Sequence, residues 1–189
     1  MNSPQRGNPL KCSVIGAGII ALLTLSSCVQ ETPAAADGPP AAVVFDDLIG
    51  MAADAVSATG TSGWTYENGT IWAPDEPVIA FSPEPCGRTA DGTEQRFMEF
   101  GLIGPPAPVG PGEAREQMRA YLQDHGYELT RSMDPPAGNE PKNTYIVTGR
   151  RADGAFIDYG ANDAEQLLTL RSQCSAHPSL QDEVSAQTD

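Results

Sequence analysis

Thr144-Tyr-Ile-Val-Thr-Gly-Arg-Arg-Ala-Asp-Gly-Ala-Phe-Ile-Asp-Tyr159 decides the fold. Two runs rich in β-branched and aromatic residues, Thr144–Arg151 and Ala155–Tyr159, flank Asp153-Gly154. Asp-Gly supplies the positive φ that a tight hairpin needs, so the two runs read as antiparallel strands. Downstream, Asn162-Asp163 turns the chain again and Glu165–Cys174 reads as a further strand. Side chains alternate across a strand with a period of two, which puts Leu168, Leu170, Ser172 and Cys174 on one face. Cys174 is therefore expected to point at the core.

Working upstream, Tyr127–Met133 is the strand before this hairpin, and Pro135, Pro136, Gly138 and Pro141 make the turn between them. Before it, Ala114, Met118, Tyr121, Leu122 and His125 fall on one helical stripe, predicting a helix over 113–125. Gly126 is placed for a left-handed cap, with Tyr127 returning to touch Leu122. Gly104–Gly112 is too rich in proline for regular structure. Glu94–Leu102 alternates as a strand that would extend the sheet. Between Gly63 and Pro85, Trp64, Tyr66, Ile71 and Trp72 suggest two short strands around Asn68-Gly69. An amphipathic helix is expected over 44–58, with Asp46 and Asp47 in its first turn at the positive end of the dipole and Thr59-Gly60 at its end. The sum is α+β: an antiparallel β-meander with a helix packed on one face, preceded by an N-terminal helix.

The N-terminal end reads differently. Arg6 and Lys11 precede an apolar run, Val14–Leu25, that closes on Leu25-Ser26-Ser27-Cys28. Twelve residues of helix reach only ~18 Å. A bilayer core of ~30 Å needs about 20 residues. The run is therefore expected to be the h-region of a signal peptide, residues 1–27, and not a spanning helix. The small residues before Cys28 form a lipobox. The chain here resembles bacterial lipoprotein precursors, which implies cleavage before Cys28, a diacylglyceryl thioether on its sulfur and acylation of the new amino group. Two or three acyl chains give stable attachment where one gives only marginal binding. Residues 28–42, rich in Ala and Pro, are expected to be a flexible tether. The folded domain is expected over 43–174, and 175–189, acidic with little to bury, as a disordered tail.

The net charge of −14 falls further once Arg6 and Lys11 leave. That excludes a nucleic-acid partner, which requires a basic footprint, and leaves membrane attachment to the lipid on Cys28. Of four cysteines, Cys12 leaves with the signal peptide and Cys28 is lipidated. Cys86 and Cys174 remain, outside the cytosol, where a disulfide persists. In the chain-entropy model a loop this long contributes ~4–5 kcal/mol.

The chemistry-bearing residues are few. His125 ends a helix and His177 lies beside Pro178, so no Ser/His/Asp or Cys/His set assembles. No phosphate loop, zinc motif or EF-hand loop is present, and no cofactor or metal is expected. With 25 carboxylates, the nearness of any two is uninformative. Arg150 and Arg151, with Arg131 and Arg171, would form either a basic spot or exposed strand charges that deter edge pairing. Trp64, Tyr66 and Trp72 would line a groove or, more simply, the core.

The layout is also similar to that of the LppA-type lipoproteins of actinobacteria. The likeness lies in Leu25–Cys28, the Ala/Pro tether, the proline-rich loop before a helix ending His125-Gly126-Tyr127, and the strand run closing on Cys174. The resemblance implies a cell-envelope lipoprotein on the extracytoplasmic face of the membrane, with no assigned activity, and carries over only Cys28. The expected function is a non-enzymatic binding or accessory module, with an envelope protein or lipid as partner. A hydrolase of envelope polymers using a carboxylate pair, or a lipid carrier with an apolar pocket, are the alternatives.

Overall fold

The computed structural model describes residues 38–77, 80–136, 138, 144–181 and 184–185. The signal segment, the lipobox and most of the tether lie outside the described residues. The first helix, α1, spans Ala41–Ala58. It begins three residues earlier than the periodicity predicts, because Ala41 is itself buried. Asp46 and Asp47 consequently lie beyond the first turn, which holds no acid. Val44, Phe45, Leu48, Ile49, Met51, Ala52 and Ala55 form the buried stripe. Thr59 caps the helix and Gly60, at φ 63°, ends it as expected.

Strand β1 is only Thr65–Tyr66, and the turn after it closes at Asn68-Gly69. The Trp72 N–H donates to Trp64 O at 2.9 Å, and Ile71 bridges Thr65, so the expected second strand is a single ladder contact. β2 (Ala80–Phe81) follows. β3 (Glu84–Arg88) pairs with β4 (Glu94–Phe97) in a separate ribbon. The stretch expected as one strand over 94–102 therefore breaks at Met98. Its second half, β5 (Glu99–Gly104), joins the main sheet.

Helix α2 spans Pro111–Asp124. Gly126 at φ 76° reverses the chain. Its N–H donates to Gln123 O, and the Tyr127 N–H to Leu122 O, which is the predicted Schellman pairing. The strands β6 (Glu128–Met133), β7 (Tyr145–Arg150), β8 (Phe156–Ala161) and β9 (Gln166–Arg171) form the expected meander. The six-stranded sheet runs β1-β5-β9-β8-β7-β6, antiparallel throughout. The Pro105–Gly110 loop and α2 carry the chain from β5 to the far edge. Both helices pack on one face, α2 over β6–β8, and α1 against β9 and α2. The fold is thus the α+β arrangement that the sequence implies.

Past β9 the structure departs from the reading. β9 ends at Arg171, so the alternation stops before Cys174, which lies exposed at the surface while Ser172 stays buried. The segment expected as a tail from Ser175 is packed: Ser175, Ala176 and Leu180 are buried, and Pro178–Leu180 forms a 3₁₀ turn. A final strand, β10 (Val184–Ser185), pairs with β2. Buried Leu180 and a serine-rich stretch that satisfies its neighbours' backbone help to hold it.

Candidate functional site

The sheet registers sort its residues into rows. One row toward the helices is Leu129, Gly149, Ile157, Leu170 and Phe100. A Cβ on Gly149 would come within 3.0 Å of Leu122, so α2 lies directly on this face. Met118, Leu122, Val147, Ile157 and Leu168 fill the layer between helix and sheet. Gln166, fully buried in the next inner row but one, accepts the Tyr159 hydroxyl at 2.7 Å and donates to Pro105 O and Thr61 Oγ1. Its polar groups are therefore satisfied and structural.

The opposite face is turned away from both helices, and its side chains are half-exposed or exposed. Its first row reads Glu128, Arg150, Phe156, Arg171, Glu99 across five strands. Arg171 lies over Phe97 at 4.0 Å and Phe156 at 4.7 Å while its guanidinium pairs with Glu99 at 2.6 Å. Arg150 covers the same Phe156 at 5.5 Å. The second row is Arg131, Thr148, Asp158, Thr169, Gly101, with the Thr148 hydroxyl donating to Asp158 at 2.8 Å. The third row is Met133, Ile146, Gly160, Leu167, Ile103, Thr65, Ile71. It is apolar at five positions, and Ile71 is 73% and Met133 43% exposed. One side of the face thus carries two arginines around Phe156 with an acid at each end, and an apolar line crosses the other side.

The four arginines do not gather into a basic spot. On the outer face Arg150 and Arg171 share Phe156, with Glu128 and Glu99 at the ends of that row, and Arg131 lies in the next row beside Thr148. Arg151 leaves the sheet for Asp47 at 2.6 Å and Asp153 at 2.5 Å. Both carboxylates hold the same guanidinium, which raises the Arg151 pKa further. Burial acts to raise Asp153, but the hydrogen bonds from Arg151 and the Ala155 N–H bring it below its ordinary value. Asp153 held this way is anionic and does not suit a general acid at neutral pH. Arg115, which helical periodicity did not single out, is buried on α2. It donates to Ser132 at 2.7 Å and Asp134 at 2.5 Å, tying α2 to β6 and the residue after it. Only the tertiary placement of β6 shows those partners.

His125 Nδ1 donates to Tyr121 O at 2.8 Å and its ring stacks on Tyr121 at 4.2 Å. His177 Nδ1 accepts from the Ser179 N–H and caps the 3₁₀ turn. His177 Nδ1 also lies 2.8 Å from Ser179 Oγ, the same oxygen that accepts the Ala41 N–H, so this contact belongs to the packing of the 3₁₀ turn on α1. Among the described residues no group of His, Cys, Asp or Glu has the geometry to hold a metal ion. Trp64, Tyr66 and Trp72 are core residues: Tyr66 meets Trp72 at 5.5 Å and Phe100 at 5.8 Å. Trp64 and Trp72 also floor an open groove of about 280 Å³, walled by Ala53, Val56 and Ser57 of α1. Small-molecule sites usually run from ~300 Å³ upward and are enclosed.

Cys86 and Cys174 are joined in a disulfide with Cα atoms 6.3 Å apart. Next to it, the Ser175 hydroxyl donates to Pro39 O at 2.7 Å, and Ser175 exchanges backbone hydrogen bonds with Arg96 at 2.8 and 2.9 Å. The Ala41 N–H donates to Ser179 Oγ at 2.9 Å. The first turn of α1 is capped in this way from across the chain, since its own N-cap residue is Pro40 and offers no side-chain acceptor. Cys28 lies outside the described residues.

No family model matches the chain, and no curated protein does. A crystal structure of a DUF4853 family protein from Actinomyces odontolyticus ATCC 17982 is similar to it at a TM-score of 0.40 and 11% identity. The match covers 73% of this chain, which spans 66% of that protein's length.

Proposed function

We propose that the chain is a cell-envelope lipoprotein, held on the extracytoplasmic face of the membrane by a diacylglyceryl group on Cys28. Its domain is a non-enzymatic binding or accessory module that takes a protein partner on the outer face of the sheet. The observation that carries this reading is the row Met133, Ile146, Leu167, Ile103, Ile71, beside the polar row Arg131, Thr148, Asp158, Thr169. Single exposed apolar residues need no explanation. Here Met133 and Ile71 are exposed at the two ends of one row, and Ile146, Leu167 and Ile103 lie half-exposed between them, the line being interrupted by Gly160 and Thr65. An apolar strip with a polar border is the anatomy of a protein interface. A lipid carrier would have to use the groove beside Trp64 and Trp72, because the layer under α2 is filled.

Photo-crosslinking in cells tests the reading. A crosslinkable side chain at Leu167 of the full chain is expected to give one discrete protein adduct, lost when Ile146→Lys puts a charge in the same row. The same probe at Ser57, in the groove wall, is expected to give none. Adducts from Ser57 alone, or lipid retained by the purified unlipidated domain in a native mass spectrum, would move the reading to the carrier. The domain for that measurement runs from Gly38 to Asp189, since Ser175–Leu180 belong to the packed structure.

A further inference from the structure

We propose that the Cys86–Cys174 disulfide is the fastening of a clamp that fixes the point where the chain enters the domain, and that a dithiol can open it. Three contacts converge on that point. The Ser175 hydroxyl holds Pro39 O, Ser179 Oγ holds the Ala41 N–H, and the Ser175 side chain sits against Gly38, where a Cβ would come within 2.9 Å. All three come from one short segment, 175–179. That segment follows Cys174 directly, so the disulfide ties its upstream end to the β3–β4 ribbon. Arg96 of β4 exchanges backbone hydrogen bonds with Ser175 and reinforces the same joint. The helices and the main sheet contribute no covalent restraint here. The clamp thus couples a surface ribbon to residues 38–41, the last part of the segment 28–42 expected to be the tether. The inference concerns this junction and holds whether or not Cys28 carries lipid.

The position of the bond makes it accessible. Cys174 is exposed and Cys86 half-exposed, in contrast to the buried disulfide that strand parity implied. A thiolate of a dithiol attacks Cys174 Sγ, forming a mixed disulfide as Cys86 leaves as a thiolate. The second thiol of the reagent then attacks its own sulfur in the mixed disulfide. It closes the reagent's disulfide and releases Cys174. The two protons of the dithiol end on the two cysteines, and its two electrons reduce the bond. With the fastening open, segment 175–181 keeps only its hydrogen bonds and the burial of Ser175, Ala176 and Leu180. Local opening there becomes more frequent, while β5 to β9 remain closed.

Amide hydrogen exchange on the full chain, oxidised and after treatment with dithiothreitol, tests this. Exchange is expected to quicken about tenfold or more in peptides covering 38–45 and 172–181, with β5–β9 unchanged. The double variant Cys86→Ser/Cys174→Ser is expected to reproduce that pattern without reductant. Ser179→Ala in the oxidised protein, which removes the contacts of Ser179 Oγ to Ala41 and His177, is expected to loosen 38–45 and the 177–181 turn while Ser175 and the ribbon stay closed. The proposal is overturned if dithiothreitol exposes no alkylatable thiol at Cys86 or Cys174 in the folded protein, or if 38–45 exchanges alike in both redox states. It is equally overturned if protection falls evenly across β5–β9, since the bond would then hold the whole fold.

Discussion

Gly104 lacks a side chain because Trp64 occupies the place where one would begin: a Cβ there would lie 2.6 Å from the indole. The indole is 2% exposed and fixed by its own N–H donating to Thr61 O at 3.1 Å, so it has little freedom to move aside. Gly104→Ala is expected to destabilise the fold by about 1–3 kcal/mol, the usual cost of overpacking, read from the urea midpoint. Tyr66, a few ångströms away among Trp72 and Phe100, has a buried hydroxyl with no hydrogen-bond partner among the described residues. Burial pushes its pKa up from 10.0 to about 12. The neutral phenol is favoured by the fold, so this contribution is complete below pH 10.0 and is lost as pH rises through about 12. Tyr66→Phe keeps the ring and removes the unpaired group. It is expected to leave neutral-pH stability unchanged or raised and to shrink the alkaline loss, followed by phenolate absorbance alongside unfolding. These details were partly legible. Trp64, Tyr66 and Trp72 read as core from composition, but the partner of Gly104 lies forty positions away in the chain and leaves no local mark.

The hairpin of β7 and β8 is the element most completely written in its own residues. Asp153-Gly154 supplies the turn, Gly154 takes φ 95°, and the Asp153 carboxylate accepts the Ala155 N–H at 3.0 Å. What local sequence does not contain is that Arg151, beside the turn, reaches Asp47 on α1. Asp47 was expected to serve the helix dipole, and it serves instead as a bond between helix and hairpin. The three side chains are about a third exposed, so solvent screening limits the value of the set to roughly 1 kcal/mol. Arg151→Ala is expected to cost about that much, less at high salt. The pH dependence follows from Asp153, whose folded pKa lies below 3.8. Its contribution is present above 3.8 and disappears as pH falls through the lower folded value. Urea midpoints should therefore drop on acidification more steeply in the wild type than in Arg151→Ala, and parallel curves would refute the assignment. The C-terminal segment shows the opposite case to the hairpin. Its composition resembles a tail, and its order comes from Ser175 and Ser179 satisfying backbone groups of residues 39 and 41. A pairing at that separation has no periodicity to betray it.

At the scale of the molecule, the meander β6–β9 and the cover of α2 follow from adjacency, since neighbouring strands joined by short turns pair with each other. The insertion of β5 beside β9 does not, because it depends on the proline-rich loop and α2 carrying the chain across to the opposite edge. That crossing leaves one face of the sheet without a helix, and the patterned rows on that face are the basis for the proposed partner site. The orientation in which a partner meets that face depends on how the domain is held, and the account places the hold at Cys28. Detergent phase partitioning of the full chain, expressed beside Cys28→Ala, addresses this directly. The wild type is expected in the detergent phase and the variant in the aqueous phase, with an intact mass for the wild type showing a cleaved, lipid-bearing N-terminus. Recovery of both proteins in the aqueous phase would contradict the anchored account.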